Sequence, residues 1–499
     1  MRVQHLIVGA GFAGLCAAIK LQEDGETDFL VVEKGPDVGG TWRDNTYPGA
    51  TCDVPSQLYS FSFASNPEWS SSYSPQPEIQ AYLRSVAERS GTLDRFEFDT
   101  RFEDAAWDDE AQVWRSRISG PDGERTVVSA TLVVAAGSLS EPKLPEIAGI
   151  DTFQGELFHS SRWDHDVDLA GKRVAVIGTG ASAIQIVPEL QKTADHLDVY
   201  QRTAPWVIPR NDRKYGALER GALRRLPLLR RLYRTGIYWA HEAYVPAFTI
   251  EPKIAAPAKQ AALANIRKGI KDPELRERVT PHFEIGCKRI LRSNTYYPAL
   301  AADSTELVTD PIAKVTGNAV VTADGVERPV DVLVVATGFH TTDLPFAEHV
   351  SGTAGRTLAD VWREQGMAAY KGTTVPGFPN LFVLTGPNTG QGHTSMVFII
   401  ESQVAYLRAA VRTMRERGLG AVEPRERAHR KWNSNLQRRM KRTVWTTGGC
   451  QSWYLDEHGR NTTLWPKATF TFRRHLARFD ADAYETTPIR TMGKEEQPA

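Results

Sequence analysis

Two glycine-rich turns, each set between an apolar strand and an amphipathic helix, constrain the fold of this chain more than any other feature. In the first, Leu6-Ile7-Val8 leads into Gly9-Ala10-Gly11-Phe12-Ala13-Gly14, and apolar residues then recur at helical spacing. Gly9, Gly11 and Gly14 allow a tight turn and a close approach to a pyrophosphate. The next strand ends at Glu33, where an acid can accept a hydrogen bond from a ribose hydroxyl. This pattern predicts a dinucleotide-binding unit; the alternative is a glycine turn used only for packing.

A second unit of the same kind begins at Arg173-Val174-Ala175-Val176-Ile177 and continues into Gly178-Thr179-Gly180-Ala181-Ser182-Ala183. Its following strand ends in Gln201-Arg202-Thr203 instead of an acid. A guanidinium at this position suits the 2′-phosphate of NADP, whereas a carboxylate would repel it. The alternative is that Arg202 is an ordinary surface arginine. A chain with both units is best explained as a flavoprotein that binds FAD at the first site and is reduced by NADPH at the second.

The order of strands and helices predicts an α/β fold with two doubly wound, Rossmann-like dinucleotide-binding domains and a helical insertion. The predicted segments are the first part of the FAD domain (1–140), a linker with the first part of the NADP domain (141–210), the helical insertion (211–284), the second part of the NADP domain (285–375), the second part of the FAD domain (376–490) and a disordered tail (491–499). Residues 386–395 form a glycine-rich loop before a helix from about Ser395, and either meet the flavin or make an ordinary turn.

Arginines and leucines alternate in the predicted insertion, in Leu223-Arg224-Arg225-Leu226-Pro227-Leu228-Leu229-Arg230-Arg231-Leu232. This spacing indicates a basic amphipathic helix that Pro227 interrupts. Two interpretations stay open. The helix is either the solvated face of an inserted subdomain, which we favour, or a surface that rests on a membrane or a partner.

Composition and charge exclude several classes of protein. The 60 basic and 60 acidic residues cancel, so no global field attracts DNA, and we expect no nucleic-acid partner. The four cysteines, Cys16, Cys52, Cys287 and Cys450, form no Cys-x-x-Cys pair, so we expect no metal site and four reduced thiols. We see neither a signal peptide nor an apolar run long enough to span a membrane, and expect a cytoplasmic location. Nothing in the sequence indicates the oligomeric state.

The segment between the two units, residues 153–164, has the pattern F-x-G-x-x-x-H-x-x-x-W-D, with Phe153, Gly155, His159 and Trp163 at the fixed positions. It resembles the fingerprint of the Baeyer-Villiger monooxygenases; relatives that hydroxylate nitrogen or sulfur carry tyrosine at the tryptophan position. The resemblance extends from residue 1 to about residue 480. It implies an enzyme that uses FAD, NADPH and O₂ to insert an oxygen atom beside a ketone carbonyl, giving an ester or lactone, with thioether sulfoxidation as a side reaction.

The resemblance also implies roles for individual residues. Arg289 matches the arginine that stabilises the flavin peroxide anion, and Asp53 matches the carboxylate that holds it. A permanently charged guanidinium in a dry pocket favours such an anion on physical grounds as well. Lys288 and Arg202 match the pair that binds the 2′-phosphate of NADP. His159 is implied to have a coupling or structural role and not to transfer protons.

The remaining predicted cofactor contacts lie along both units. For FAD they are Gly9, Gly11, Gly14, Glu33, Gly40, Thr41, Trp42, Asp53, Tyr59 and Met396; for NADP they are Gly178, Thr179, Gly180, Ala181, Ser182, Gln185, Arg202, Thr203, Lys288 and Arg289. Trp453 and Tyr454 either contact substrate or nicotinamide or belong to the core of the C-terminal lobe. Two other functions stay open: an N- or S-hydroxylating flavin monooxygenase, and a flavin redox sensor that oxygenates nothing.

Overall fold

Strands and helices alternate along most of the chain in the computed structural model, which describes residues 1–490. The first stretch contains β1 (Arg2–Val8), α1 (Phe12–Glu23), β2 (Phe29–Val32), α2 (Thr41–Asp44), α3 (Gln76–Ser90), β3 (Phe96–Glu97), β4 (Arg101–Asp108), β5 (Val113–Gly120) and β6 (Gly123–Val134). The second contains β7 (Glu156–His159), β8 (Arg173–Ile177), α4 (Ala183–Leu190), β9 (His196–Tyr200) and β10 (Val207–Ile208). A run of helices follows: α5 (Ala217–Arg225), α6 (Pro227–Glu242), α7 (Val245–Thr249), α8 (Ala256–Gly269) and α9 (Pro273–Arg278).

The chain then returns to strands before a largely helical C-terminal lobe. The returning stretch contains β11 (Leu291–Arg292), α10 (Tyr296–Leu300), β12 (Thr305–Val308), β13 (Ile312–Val315), β14 (Ala319–Thr322), β15 (Glu327–Pro329) and β16 (Val332–Val335). The last stretch contains β17 (Val350–Ser351), α11 (Leu358–Gln365), β18 (Leu381–Val383), α12 (Met396–Arg417), β19 (Leu419–Pro424), α13 (Glu426–Met440), α14 (Val444–Thr447), α15 (Thr469–Leu476) and β20 (Tyr484–Pro488).

The first sheet has eight strands, in the order β17-β4-β5-β6-β1-β2-β3, with β18 also paired to β6. Strands β1, β2, β6 and β18 are parallel, and β2 and β18 are buried along their whole length. Parallel strands covered on both faces are typical of doubly wound folds. Strands β17 and β18 pair with strands from the start of the chain, so segments distant in sequence build this one sheet. The first glycine turn lies at the carboxyl edge of the sheet, directly after β1.

The second sheet has five strands in the order β12-β9-β8-β16-β7, and all its pairs are parallel. Its strand β8 leads into the second glycine turn and then α4, which confirms the predicted repeat of the unit. The prediction of two Rossmann-like domains is therefore confirmed. The exact domain boundaries stay predictions, and the tail at 491–499 lies outside the described residues.

Residues 217–278 are helical, as predicted, and the first long helix breaks at Pro227, between α5 and α6. Helix α6 packs its inner side against the core of the first domain through Tyr233, Ile237 and Tyr238. Arg234 on the same side donates hydrogen bonds to the carbonyl oxygens of Gln57 and Ser60. The insertion therefore rests on the FAD domain. Within residues 1–490, no helix is both long and apolar enough to cross a membrane.

Candidate active site

The first glycine turn has the shape that a bound pyrophosphate needs. Gly9 has φ of +102°, and a Cβ there would stand 2.7 Å from the carbonyl oxygen of Ala135. A Cβ on Gly14 would overlap the carbonyl oxygen of Gly9. At Gly11, by contrast, a Cβ would meet nothing closer than 3.8 Å. Gly9 and Gly14 are thus required by packing, while Gly11 leaves the backbone open on the side where a phosphate approaches.

Glu33, at the end of β2, is buried and held at the rim of this turn. Its Oε2 accepts a hydrogen bond from the Ala10 amide at 2.8 Å. Its Oε1 accepts from the Gly35 amide at 2.9 Å and lies 2.7 Å from Arg43 Nη1. A carboxylate has about four acceptor positions, so one remains for a ribose hydroxyl. The environment of Glu33 therefore fits the predicted contact with FAD.

Several predicted FAD residues gather beside Gly11. Gly40 has φ of +53°, and a Cβ on it would lie 3.2 Å from the Gly11 Cα. Thr41 and Trp42 begin α2, and the Trp42 indole Nε1 donates to the Tyr59 hydroxyl at 3.0 Å. Met396 lies elsewhere in the chain, at the first turn of α12, where Ser395 Oγ caps the helix. The two aromatic residues form a fixed, mostly apolar wall that suits a flat ring.

The second glycine turn repeats this design. Gly178 has φ of +116°, and a Cβ there would stand 2.5 Å from the Ala336 carbonyl oxygen. Gly180 has nothing within 4 Å of its Cβ position, which leaves that side open to a ligand. The Thr179 hydroxyl donates to the Thr203 carbonyl at 3.1 Å and so fixes the turn against the segment that carries Arg202. Ala181 and Ser182 lie between Gly180 and the start of α4.

Arg202 and Lys288 come from different segments and are near enough for the charge of one to act on the other. Burial and the positive charge of Arg202 lower the pKa of Lys288. Neither side chain has a salt bridge or hydrogen bond with any of residues 1–490. Two cations that repel each other and lack a carboxylate partner are suited to bind a doubly charged phosphate between them.

Gln185 occupies the boundary between the two sheets. Its Nε2 donates to the Thr51 carbonyl at 3.0 Å, and its Oε1 accepts from the Thr51 amide at 3.1 Å. The Tyr47 hydroxyl donates to the same oxygen at 3.3 Å. The Gln185 amide therefore joins the two domains, and its predicted contact with NADP stays a prediction.

Arg289 and Asp53 form a bidentate ion pair at the same boundary. The guanidinium Nε and Nη2 donate to the two carboxylate oxygens, each at 2.7 Å, and Nη1 donates to the Gln391 carbonyl of loop 386–395 at 3.3 Å. Burial alone would raise the pKa of Asp53, but the charge and hydrogen bonds of Arg289, together with the charge of Arg292, lower that pKa overall. Asp53 in turn raises the pKa of Arg289. The guanidinium is thus permanently charged and fixed in orientation.

The fingerprint segment is packed within the second domain, and whether its role is coupling or structural stays a prediction. His159 ends β7, and its Nε2 donates to the Gly338 carbonyl at 3.0 Å while Nδ1 accepts from the Ser161 amide at 3.1 Å. Burial lowers the pKa of His159 to about 4, so the ring is neutral near pH 7. A Cβ on Gly155 would overlap the Asp331 carbonyl oxygen. Phe153 packs near this strand, and the Trp163 ring meets Phe158 edge-on at 5.0 Å.

Cys287 and Cys450 form a disulfide across 163 residues of sequence, so the prediction of four reduced thiols is wrong for these two. Cys16 and Cys52 are free and buried. The Glu284 amide donates to the Gly448 carbonyl at 2.9 Å, and this contact brings the segment before Arg289 against the one after α14. The disulfide ties the segment of Arg289 to the segment that carries Tyr454.

Tyr454 and Trp453 have different environments. Tyr454 is buried, and its hydroxyl has no hydrogen-bond partner among residues 1–490. Burial raises its pKa to about 12, although Arg289 is near enough to oppose that shift. Trp453 is 43% exposed. Tyr454 is therefore buried close enough to the Arg289–Asp53 pair for both charges to act on its hydroxyl.

The disulfide gives a testable prediction. We expect Cys450→Ser to lower the free energy of unfolding by about 2–4 kcal/mol, because the unfolded chain gains freedom when a long loop opens. We also expect more NADPH to be consumed per product formed, since the Arg289 segment loses its tether. Denaturant titration of the FAD-loaded protein and product-to-NADPH ratios measure the two effects. Wild type treated with a reductant is the matched control, and four free thiols in unreduced, denatured wild type would contradict the pairing.

A buried polar cluster beside loop 386–395 was not predicted from the sequence. Glu242, at the end of α6, accepts hydrogen bonds from the amide and hydroxyl of Thr469 and lies 3.4 Å from Nε2 of His393. Burial would raise the pKa of Glu242, but the nearby His393 ring and the hydrogen bonds from Thr469 lower it. This carboxylate joins the insertion to the loop whose Gln391 contacts Arg289. Its only signal in the sequence was an acid within an otherwise apolar stretch.

Comparison with known proteins agrees with this geometry. The sequence model of the family described as flavin-binding monooxygenase-like matches residues 2–219. The chain is 50% identical over 486 residues to a Baeyer-Villiger monooxygenase of Streptomyces coelicolor, covering 97% of this chain and 92% of the relative. It is 48% identical to a Baeyer-Villiger monooxygenase of Pseudomonas aeruginosa, covering 98% and 93% of the two chains.

A solved structure is similar over nearly the whole chain. The crystal structure of OTEMO in complex with FAD and NADP matches with a TM-score of 0.87 and 27% identity, and the match covers 97% of this chain and 99% of the other.

Proposed function

This chain belongs to the Baeyer-Villiger monooxygenase family, and from that membership we propose which residues carry the reaction. The protein is a flavin-dependent monooxygenase that uses FAD and NADPH. In the reaction, a ketone, O₂, NADPH and a proton give an ester or lactone, NADP⁺ and water. Bound FAD supplies the oxygen-activating chemistry and NADPH supplies two electrons.

The observation that carries the proposal is the bidentate pair of Arg289 and Asp53, with its 2.7 Å contacts. In our proposal, Arg289 stabilises negative charge that develops on oxygen during the reaction. A fixed cation in a partly buried site does this far better than mobile water. Asp53 acts by positioning: without its carboxylate, the guanidinium would be free to choose other rotamers. The third guanidinium nitrogen, Nη1, donates a hydrogen bond to the Gln391 carbonyl.

The cofactor roles rest on the two glycine turns and the groups around them. We assign the first turn, Glu33, Trp42 and Tyr59 to FAD, because the open side at Gly11 and the free acceptor position of Glu33 fit its pyrophosphate and ribose. We assign the second turn with Arg202 and Lys288 to NADPH, because two adjacent unpaired cations fit its 2′-phosphate.

Aromatic side chains near Arg289 favour an apolar ketone as substrate. The Phe248 and Trp445 rings stack at 6.0 Å, and Trp445 lies 3.6 Å from the Cβ position of Gly392 in loop 386–395. Tyr454 packs in the same cluster. Such a wall holds a hydrocarbon or aryl group while the carbonyl faces the arginine. Thioethers are proposed as secondary substrates, and the cytoplasm is the proposed location.

The test mixes FAD-loaded protein with NADPH and apolar ketones under ¹⁸O₂ and follows product masses. We expect one labelled oxygen atom in the ester or lactone. A panel of amines and thioethers run in parallel serves as the comparison. If only those are oxygenated, the protein is an N- or S-hydroxylating enzyme; if NADPH is consumed with no labelled product from any compound, the protein is not an oxygenase for these classes.

A further inference from the structure

Large hydrophobic side chains are exposed on the outer side of the helical insertion. Nine of the eighteen such residues exposed among residues 1–490 lie in this one segment: Leu218, Leu226, Leu228, Leu229, Leu232, Trp239, Tyr244, Ile250 and Ile254. Scattered exposed leucines are normal on a protein surface, but such a concentration marks a binding face. We call it the outer face of the insertion.

Helix α6 shows this most clearly. Tyr233, Ile237 and Tyr238 on its inner side pack on the FAD domain. Leu228, Leu232 and Trp239 recur at four- and seven-residue spacing, on the opposite side of the helix, and are 68%, 61% and 54% exposed. The Trp239 ring lies 5.7 Å from Phe470, which is also exposed, so the apolar strip continues onto α15. A contiguous apolar strip on the solvent side of a helix that already packs by its other side marks a surface for a further partner.

Positive charge surrounds the outer face. Arg224, Arg225 and Arg231 are exposed on α5 and α6, and Arg220 and Arg230 are half-buried. The only acids of these two helices are Glu219, which pairs with Arg213, and Glu242, which is buried. Arg224 lies 3.5 Å from Glu68, and the others have no carboxylate within salt-bridge distance among residues 1–490. The rim of the face along α5 and α6 is therefore cationic.

We propose that the outer face is a peripheral docking surface for an anionic lipid bilayer. Leucines and a tryptophan flanked by arginines are the composition that partitions into the boundary between headgroups and acyl chains. The charges fit phosphate headgroups, whose attraction adds to the burial of the leucines. A second copy of the chain fits less well, because a two-fold interface would bring the same arginines against each other. The proposal does not depend on the substrate proposed above.

The experiment sediments the FAD-loaded, full-length protein with vesicles of phosphatidylcholine, either pure or mixed with phosphatidylglycerol. We expect binding to the anionic vesicles, weaker binding to neutral ones, and a decrease as salt is raised. Leu228→Ser combined with Leu232→Ser should weaken binding to anionic vesicles by about tenfold or more. Arg224→Gln, Arg225→Gln and Arg231→Gln together should remove most of the preference for the anionic lipid.

The matched control is Leu144→Ser with Val326→Ser, two exposed apolar positions outside the insertion, which should bind like wild type. Flavin content and thermal unfolding are measured for each variant to show that it is folded. Absence of binding to anionic vesicles would overturn the proposal, as would equal binding by the leucine variant. A different outcome is that wild type fails to bind vesicles and elutes as an oligomer in size-exclusion chromatography, while the leucine variant elutes as a smaller species. In that case the face is a protein interface and the proposal is wrong.

Discussion

We expect Arg289→Met to lower the rate of ketone oxygenation by about a thousandfold, because removing a single preorganised hydrogen-bond donor or charge slows a reaction by a factor of this order. The reduction of the flavin by NADPH should continue, since the substitution leaves the two glycine turns proposed to bind the cofactors unchanged. Stopped-flow absorbance follows the bleaching of the flavin, and mass spectrometry of the ester follows oxygenation. The variant should therefore consume NADPH and release hydrogen peroxide in place of product.

Two variants separate charge from geometry at this position. Arg289→Lys keeps a positive charge but cannot make the two-point contact with Asp53, so we expect intermediate activity. Asp53→Asn keeps the size of the side chain and removes its charge, so the guanidinium loses its partner and oxygenation falls with it. Ketone oxygenation at the wild-type rate in Arg289→Met would refute the role proposed for this residue.

The second large effect concerns the choice of nicotinamide cofactor. Replacing both Arg202 by Gln and Lys288 by Met should lower kcat/KM for NADPH by about two to four orders of magnitude, because each charge-assisted hydrogen bond contributes about 1.5–3 kcal/mol. NADH has no 2′-phosphate, so its kcat/KM should change little. Initial rates measured at several concentrations of each cofactor give kcat/KM for NADPH and for NADH.

Lys172→Met is a suitable control for that experiment, since Lys172 is an exposed cation in the same domain. It should leave both ratios near the wild-type values. An equal loss with NADPH and NADH in the double variant would mean that these residues support the fold of the domain and do not recognise the phosphate.

The sequence predicted the parts of the fold that local patterns encode. Arg173–Ile177 is a strand with the predicted bounds, β2 ends at Val32, one residue before the predicted Glu33, and α12 begins one residue after Ser395. Continuous apolar runs beside glycine turns are recognisable because neighbours in sequence determine them. The antiparallel strands β13, β14 and β15 were not predicted. They are short and partly exposed, so the alternation of apolar and polar residues along them is weak.

These local patterns could not predict contacts between segments that are distant in sequence. The Cys287–Cys450 disulfide and the meeting of Glu242 with His393 join residues more than 150 positions apart. Spacing along the chain carries no information about such pairs. The placement of Arg289 against Asp53 was implied only by resemblance to a family, because Lys288-Arg289 by itself reads like any basic pair on a surface. The roles of the individual cofactor residues stay predictions.

The side-chain contacts that join the two nucleotide-binding domains have a consequence for protein engineering. Asp53 and Thr51 lie in one domain, and their partners Arg289 and Gln185 lie in segments of the other. A chimera that takes one domain from a relative must therefore rebuild each contact from two parents, with one partner on the backbone of each. Crossover points that separate residues 51–53 from residues 185 and 289 should be enriched among inactive chimeras.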